Sequence, residues 1–295
     1  MLKKKKSIVG TYHKKKDFVK NSKIKYVHFD SSKTFEFNKI SYKPTVIVHL
    51  SNKIFNLRMQ KIKKNFDFYN NLLSMINILN FCRAKKVKKL IYVSSSTGYP
   101  KSINKLKESQ YFKRKPVSET YLIGWISRLL EKIIFIYKSI YNLKTIIVIL
   151  RPSAIYGKYD NFDNRSSRLI PYLIKKIISN RSYVKIPGSG SLVRNWVNVS
   201  EFTNLIIKLI FLKSRKKIDI INISSNTNYS TLEITKKILK IIKKKIKIIK
   251  SFRSEKKLNC RILDNTKMKK MYLTVDNLTI DYHLKKTIDW YKSKI

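Results

Sequence analysis

The sequence predicts an α/β protein built on a parallel sheet, and three observations predict it. Short β-type runs alternate with longer stretches of helical periodicity through the first half of the chain, the pattern of βαβ units. Within the strand over 89–93 one run, Leu90-Ile91-Tyr92-Val93, is apolar without alternation, as a strand covered on both faces must be. It breaks at once into Ser94, Ser95, Ser96, Thr97, Gly98, Tyr99 and Pro100. In open α/β sheets ligands sit beyond the carboxyl ends of the strands, so this hydroxyl cluster is either a chemical site or simply the start of a loop.

In chain order, residues 7–13 and 24–30 read as short β runs separated by a basic turn, and residues 45–51 as a third, more apolar one. Residues 71–82 repeat apolar side chains at helical spacing and read as a crossover helix, which makes 89–93 parallel to the strand before it. A helix over 120–138 and a strand over 145–150 continue the alternation. After Pro152 the pattern loosens. Residues 219–224 return as a late strand, and 231–242 read as a helix with Ser230 or Thr231 as its cap, at the head of a Lys/Ile-rich stretch over 236–250. The expected organisation is a core over residues 1–152 and a mixed region over 153–295 that completes the core and forms a smaller C-terminal lobe.

Composition narrows the partners. Two cysteines, Cys82 and Cys260, are too few for a disulfide framework or a metal cluster and suit a reducing compartment. The apolar run after the lysines of residues 3–6 is too short for a signal peptide, and no stretch is long enough to span a bilayer, so a cytoplasmic protein without a membrane partner is expected. The formal charge of +49 could serve phosphate backbones. The lysines, however, are spread over nearly every segment beside abundant Ile and Asn, and no nucleic-acid motif accompanies them. A composition bias explains the charge better than a nucleic-acid partner does.

Residues 150–162 are more specific: Arg151-Pro152, Tyr156-Gly157 and Asp160-Asn161-Phe162, with Ser-Arg-Leu-Ile-Pro over 167–171. Four further stretches accompany them: Val-Ile-Val-His-Leu over 46–50, the hydroxyl cluster after 93, Gly-Ser-Gly-Ser-Leu-Val-Arg-Asn-Trp-Val-Asn-Val over 188–199, and the pair 261–267 and 284–291. In this order they resemble the extended short-chain dehydrogenase/reductase family of nucleotide-sugar epimerases, dehydratases and reductases, with the Asp-Asn-Phe form most similar to the GDP-fucose synthase branch. The resemblance covers nearly the whole chain. It implies a Rossmann-like doubly wound parallel sheet, NAD or NADP as cofactor and a nucleotide sugar as substrate bound against the C-terminal lobe. As macromolecular partners it leaves open a homodimer or a complementing N-terminal fragment.

Residue by residue, the resemblance puts Ser95 at the catalytic Ser/Thr position and Tyr121 at the proton-exchanging tyrosine. Ser96, Thr97, Asn161, Arg168 and Arg194 fall on the substrate side, Thr97 and Arg168 standing where the GDP-fucose synthase branch has its epimerising Cys and His. Thr11, His13, Leu50, Ser51 and Ser153 fall on the cofactor side. The family tyrosine works with a lysine one helical turn later, whose ammonium favours the phenolate. Here Trp125 stands in that place, and an alternative register puts Ile123 and Ser127 in the two positions; neither supplies the lysine, and Arg128 lies seven residues from Tyr121. Tyr121 is equally readable as a helix-start aromatic. Arg194 could grip a pyrophosphate bidentately or be an ordinary surface arginine. His13 with Lys14, Lys15 and Lys16 could meet a ribose phosphate or form a solvated turn.

The family also opens on a strand and a Gly-x-x-Gly-x-x-Gly turn that lets backbone approach the dinucleotide pyrophosphate. None of the six glycines forms that turn; Gly188 and Gly190 belong to the substrate loop. By resemblance residues 8–13 are the second strand, so the first strand and Gly-rich turn are missing, and in the order 3-2-1-4-5-6 the lost strand is central. Its loss would strand buried backbone groups unless the sheet closes up, the basic N-terminus substitutes, or a separate fragment supplies the strand. The expected function is that of an NAD(P)-dependent nucleotide-sugar epimerase/dehydratase or reductase with impaired catalysis, the alternative being a non-catalytic nucleotide-sugar-binding or subunit-pairing relative.

Overall fold

The computed structural model describes residues 7–13, 21–51, 68–102, 104–163, 167–180, 182–214, 216–251 and 261–295, the side chain of Glu119 excepted. The basic residues 1–6, Lys14, Lys15, Lys16 and Cys260 lie outside this set.

Two short strands, β1 (Val9–Tyr12) and β2 (Lys25–His28), open the chain as a parallel pair. Then come β3 (Val46–His49), helix α1 (Phe68–Ala84), β4 (Lys89–Val93), helix α2 (Tyr121–Ile140) and β5 (Ile146–Pro152). Strand β6 (Ala154–Tyr156), helix α3 (Leu169–Ser179), β7 (Tyr183–Ile186), β8 (Val193–Asn198) and helix α4 (Val199–Phe211) follow. The chain ends with β9 (Ile218–Ile223), β10 (Asn228–Ser230), helix α5 (Thr231–Ile242), β11 (Lys247–Lys250), the short helix α6 (Thr266–Lys270) and helix α7 (Ile280–Lys292).

The central sheet is parallel, in the order β3-β4-β5-β9. Its residues alternate between two helical layers. Leu90, Tyr92, Ile147 and Ile149 meet Met75, Leu79 and Cys82 of α1 and Leu130 and Ile134 of α2. Ile91, Val148, Leu150 and Ile221 meet Phe202, Leu205 and Leu209 of α4 and Met268 of α6 on the other face. Both faces are thus covered, which is why residues 89–93 carry no polar alternation. The late strand β9 belongs to this sheet, so the region after Pro152 returns to the core.

The β1–β2 pair is separate from the central sheet among the described residues. It is anchored through the segment that follows β2. Ser31 and Ser74 share a hydroxyl hydrogen bond of 2.6 Å, Thr34 Oγ1 donates to Asn77 Oδ1 at 3.1 Å, and Asn77 Nδ2 donates to the Ser31 carbonyl at 3.2 Å. Phe29 meets Phe37 edge to face, and Phe37 lies tilted against Phe81 of α1. Helix α1 is therefore buried on two sides, which accounts for its buried Ser74 and Asn77. Among the described residues the sheet is divided between β1 and β3, the place that the first, central strand holds in the doubly wound order.

The C-terminal lobe combines the sheet β10-β8-β6 with the parallel pair β11-β7 around Leu173, Ile177, Val184, Trp196, Ile234, Ile238, Leu284 and Ile288. Apart from the six-residue β8, its strands have three or four residues, too short to show a period, so the sequence pattern loosens there because these elements are brief. Ser230 is the cap of α5: its Oγ accepts from the Glu233 N–H at 3.1 Å while the Glu233 carboxylate accepts from the Ser230 N–H at 2.7 Å. The Lys/Ile-rich stretch is the end of α5 and β11, with Ile238 buried. Several lysines fold back on carbonyls: Lys89 onto Leu209, Ile210 and Leu212, Lys138 onto Leu143 and Thr145, and Lys244 onto Ile177, Ile178 and Asn180, the helix-end chemistry that suits a cation.

Candidate active site

The four hydroxyls after β4 have separate duties. Ser94 is buried and donates to Glu131 Oε1 at 2.5 Å. Ser95 caps a single 3-10 turn over Ser96–Gly98; its Oγ accepts from the Thr97 N–H at 3.1 Å and is hydrogen-bonded to Thr97 Oγ1 at 2.9 Å. Ser96 is buried, while Ser95 and Thr97 are half-buried and face outward together. Gly98 is required by close approach: a Cβ there would stand 2.2 Å from the Tyr111 ring. Tyr111 in turn donates from its hydroxyl to the Ser95 carbonyl at 2.9 Å.

Beneath this shelf lies a buried polar network. Arg151 Nη2 reaches Glu131 Oε2 at 2.6 Å, Arg151 Nη1 donates to the Glu108 carbonyl at 2.9 Å and to Tyr99 Oη at 3.2 Å, and Tyr99 donates to Asn222 Oδ1 at 2.5 Å. Asn222 is satisfied on its other side by the Leu106 and Asp264 carbonyls. Burial alone would lower the Arg151 pKa, but the Glu131 carboxylate beside it raises it above the ordinary value, so the guanidinium is charged. Burial pushes the Tyr99 phenol up to about 12 and the Tyr111 phenol well above its usual range, which keeps both protonated as donors. The Arg151 of the Arg-Pro motif is thus an internal brace.

Helix α2 closes the shelf from the side. Gly124 abuts the Thr97 carbonyl, where a Cβ would come within 2.6 Å, and Arg128 Nε donates to the Gly98 carbonyl at 2.8 Å. Ile123 is buried, and the Ser127 hydroxyl donates back to the Ile123 carbonyl at 2.8 Å. Tyr121 lies one turn before Gly124, hence on the same side of the helix, and is 41% exposed. Its ring meets Trp125 edge to face at 6.1 Å, and the Arg128 guanidinium lies 5.1 Å from the Trp125 ring. The helix turns Tyr121 and Trp125 outward and Ile123 and Ser127 inward. No hydrogen bond joins Tyr121 to Ser95 among the described residues.

On the lobe, Asn161 is exposed and its Oδ1 accepts from the Asp163 N–H at 2.8 Å, holding a tight turn. Arg168 is exposed just before α3 and donates to the Ile155 carbonyl at 3.3 Å. Arg194 on β8 forms a parallel bridge with Arg261, setting the two arginines side by side. Arg194 Nε is buried without a hydrogen-bond partner, and burial lowers the pKa of its guanidinium. Arg261 Nη2 donates to Thr120 Oγ1 at 3.1 Å, so Arg261 reaches the residue just before α2 and Tyr121. Arg261 opens the motif over 261–267, and its bridge to Arg194 makes it a further candidate residue of this site.

The residues expected on the cofactor side line one edge of the sheet. Leu50 and Ser51 follow β3 and are exposed, with Ser51 Oγ 3.4 Å from His49 Nδ1. Ser153 follows β5, and its hydroxyl is buried without a partner. Thr11 is exposed on β1, and His13 after it lies 3.9 Å from Asp30 while its carbonyl accepts from His28 Nε2 at 3.0 Å. Every glycine of the chain is described, at positions 10, 98, 124, 157, 188 and 190, and none joins a central strand to a helix N-terminus. The strand ends therefore suit a nicotinamide and ribose, but the phosphate cradle that a dinucleotide needs is not formed by these residues, and they do not fit the whole cofactor.

Comparison with known proteins agrees with this architecture. Residues 1–224 match the model of the NAD dependent epimerase/dehydratase family. A GDP-L-colitose synthase of Yersinia pseudotuberculosis is 27% identical over 235 residues, 76% of this chain and 74% of that protein. Across it and two GDP-L-fucose synthases the aligned part is 64–74% of the relative's length. Among solved structures, a UDP-glucose 4-epimerase of Thermotoga maritima superposes with a TM-score of 0.83 at 15% identity, over 98% of this chain and 91% of that one. A GDP-L-fucose synthetase of Naegleria fowleri bound to NADP gives 0.78 at 18% identity, over 92% and 85%.

Proposed function

The chain belongs to the NAD dependent epimerase/dehydratase family, and on that footing we propose that it binds a nucleoside-diphosphate sugar but is impaired in the family's NAD(P)-dependent chemistry. The observation that carries the binding half is Arg194, whose buried Nε has no hydrogen-bond partner and whose backbone bridges to that of a second arginine, Arg261. A diphosphate between the two would satisfy that donor and neutralise both charges. The relatives' names, with their GDP- and UDP-linked sugars, are in keeping with such a ligand.

The impairment follows from what flanks the sugar. Ser95 and Thr97 offer hydroxyls to a sugar oxygen, and Tyr121 can exchange a proton with it across the mouth between shelf and lobe. The position one turn after Tyr121 holds the Trp125 indole, which cannot supply the positive charge that favours a phenolate. Thr97 and Arg168 are a neutral hydroxyl and a permanent cation, neither able to exchange protons at neutral pH as an epimerisation requires. Asn161 and Ser96 serve to orient the sugar. The residues toward a dinucleotide, Thr11, His13, Leu50, Ser51 and Ser153, hold its ends but not its phosphates, so NAD or NADP binds weakly at best.

Calorimetric titration of the full chain with GDP, UDP and their sugar conjugates tests the binding, and the nicotinamide absorbance tests turnover of a 4-keto GDP-sugar. Saturable nucleoside-diphosphate binding with no turnover above the uncatalysed rate is expected. Absence of GDP or UDP binding overturns the first half, and sustained NADPH consumption overturns the second.

A further inference from the structure

A small polar cavity opens on the face of β8 turned away from Arg194. Asn195 is the next residue on that strand, and successive strand residues point to opposite faces. The register agrees: Tyr229 of β10 pairs with Arg194, and Asn228 with Asn195. Asn195, Asn226, Asn228, Asn265, Lys105 and Lys269 line the cavity, whose volume is about 100 Å³. That is roughly three times a water's share of the liquid, room for one tetrahedral oxyanion. Asn226 and both lysines are exposed, so the cavity is open to solution.

Backbone groups settle which way each amide points. The Leu263 N–H donates to Asn195 Oδ1 at 2.8 Å, so Asn195 Nδ2 is the donor to the Ser225 carbonyl at 3.0 Å and to Asn228 Oδ1 at 2.6 Å. Asn228 therefore turns its oxygen to Asn195 and keeps its Nδ2 unused. Asn265 does the same for its neighbour: its Nδ2 donates to the Ser224 carbonyl at 3.0 Å and to Asn226 Oδ1 at 3.1 Å, which leaves Asn226 Nδ2 unused. Among the described residues Lys105 Nζ and Lys269 Nζ make no hydrogen bond or ion pair. The carboxylates within their electrostatic reach, Asp264 and Asp276, accept the Thr266 and Asn226 N–H groups at 2.9 and 2.6 Å and do not line the cavity. The side-chain oxygens of Asn195, Asn226 and Asn228 are thus consumed inside the protein, and four donors, two of them cations, are left over. A ligand that suits them offers only acceptors and carries negative charge.

We infer that this cavity binds a phosphate group, as inorganic phosphate or as the phosphomonoester of a small metabolite, at a site separate from the diphosphate position at Arg194. The ammoniums of Lys105 and Lys269 meet its charge, and the Asn226 and Asn228 amides fix its oxygens. The ligand also joins distant segments. Lys105 precedes Leu106, which bridges to Leu263 and whose carbonyl accepts from Asn222 Nδ2 at 2.8 Å, and Asn222 ends the buried network under the shelf. A bound phosphate therefore stabilises the folded chain where lobe and core meet. The direction of the amides carries this independently of the sugar-nucleotide reading.

The test titrates the full chain with sodium phosphate in about 0.15 M chloride, where diffuse attraction to a basic surface is screened. Calorimetry should show one saturable event, the unfolding temperature should rise, and the side-chain amide NMR signals of Asn226 and Asn228 should shift. Lys105→Ala and Lys269→Ala should each weaken binding about tenfold or more. Asn228→Asp keeps the acceptor for Asn195 while placing a carboxylate in the cavity, and should abolish binding. With three lining variants, misfolding of one leaves two to decide. Lys270→Ala removes an exposed lysine outside the lining and should change nothing, and the event should persist in Arg194→Ala. Ribose 5-phosphate, titrated alongside, binds more tightly than inorganic phosphate if the ligand is an ester and more weakly if it is the free ion; either supports the site. No saturation by either at millimolar concentration, or loss of the event in Arg194→Ala, overturns the inference. So does an equal loss in Lys270→Ala and the lining variants, which would show diffuse charge alone. Failure of GDP or UDP to bind leaves it untouched.

Discussion

The Arg151 guanidinium lies 2.6 Å from the Glu131 carboxylate and 3.6 Å from the centre of the Tyr111 ring, with side-chain exposures of 1% for Arg151 and 0% for Glu131. The pair ties β5 to α2 and reaches the shelf through Ser94, Tyr99 and Tyr111. Breaking one partner of a buried pair strands the other charge, whereas replacing both with apolar groups need not destabilise. Glu131→Ala should therefore lose about 3–5 kcal/mol in denaturant unfolding. The double change Glu131→Leu with Arg151→Met should recover most of that loss.

Gly98 and Tyr111 occupy one space. Gly98→Ala should cost about 1–3 kcal/mol through overpacking against the ring. The same change in a Tyr111→Ala background should cost measurably less, because the two sites share the volume. Equal costs in both backgrounds would show that the turn moves instead.

Arg194→Ala should weaken GDP or UDP binding at least tenfold by calorimetry while leaving thermal stability unchanged or slightly raised, since a cation with a buried unpartnered nitrogen is removed. Arg194→Lys should recover little, because a point charge does not replace a bidentate fork. A loss of folding in Arg194→Ala would instead make this arginine a structural residue.

His49 gives a dependence on pH. Burial lowers its pKa from 6.5 to about 4, and its Nε2 lacks a partner. Between these values the unfolded chain binds a proton that the folded chain refuses, so stability rises with pH and is lost as pH falls from about 6.5 toward 4. The contribution is about 3 kcal/mol over that window. Unfolding curves at both ends should show a slope that His49→Gln flattens; an unchanged slope would place the titration elsewhere, His283 beside Glu201 being the next histidine whose pKa burial lowers.

The sequence was legible where an element is long or continuous. Strand β4 falls at its expected bounds because four apolar residues in a row, Leu90 to Val93, must be covered on both faces and hydroxyls follow at once. Helix α1 begins three residues earlier than its periodicity suggests, since the loop after β2 buries its first turns from a second side. Strands β6, β7 and β10 escaped because three or four residues show no period. The brace under the shelf escaped for another reason: Glu131, Arg151 and Asn222 come together only in three dimensions, and a glutamate amid apolar helix residues was the one local sign of it. Of the site, the Ser95 turn and Arg194 were visible as motifs. The partnership of Arg194 with Arg261 needed the bridge between their strands, and the outward turn of Tyr121 and Trp125 needed the packing of Gly124 against Thr97.

Ser94 bonded to Glu131 has a consequence for how such chains drift. The residues that make the shelf recognisable, Ser94, Gly98 and Arg151, are also ones the interior is packed and hydrogen-bonded around. Tyr121 and Trp125 are half out in water, and stability asks little of them. A lineage released from catalysis but still selected to fold would keep the first group and let the second wander. In this fold the buried part of the shelf serves packing as well as any chemistry, while Tyr121 and Trp125 stand at the surface.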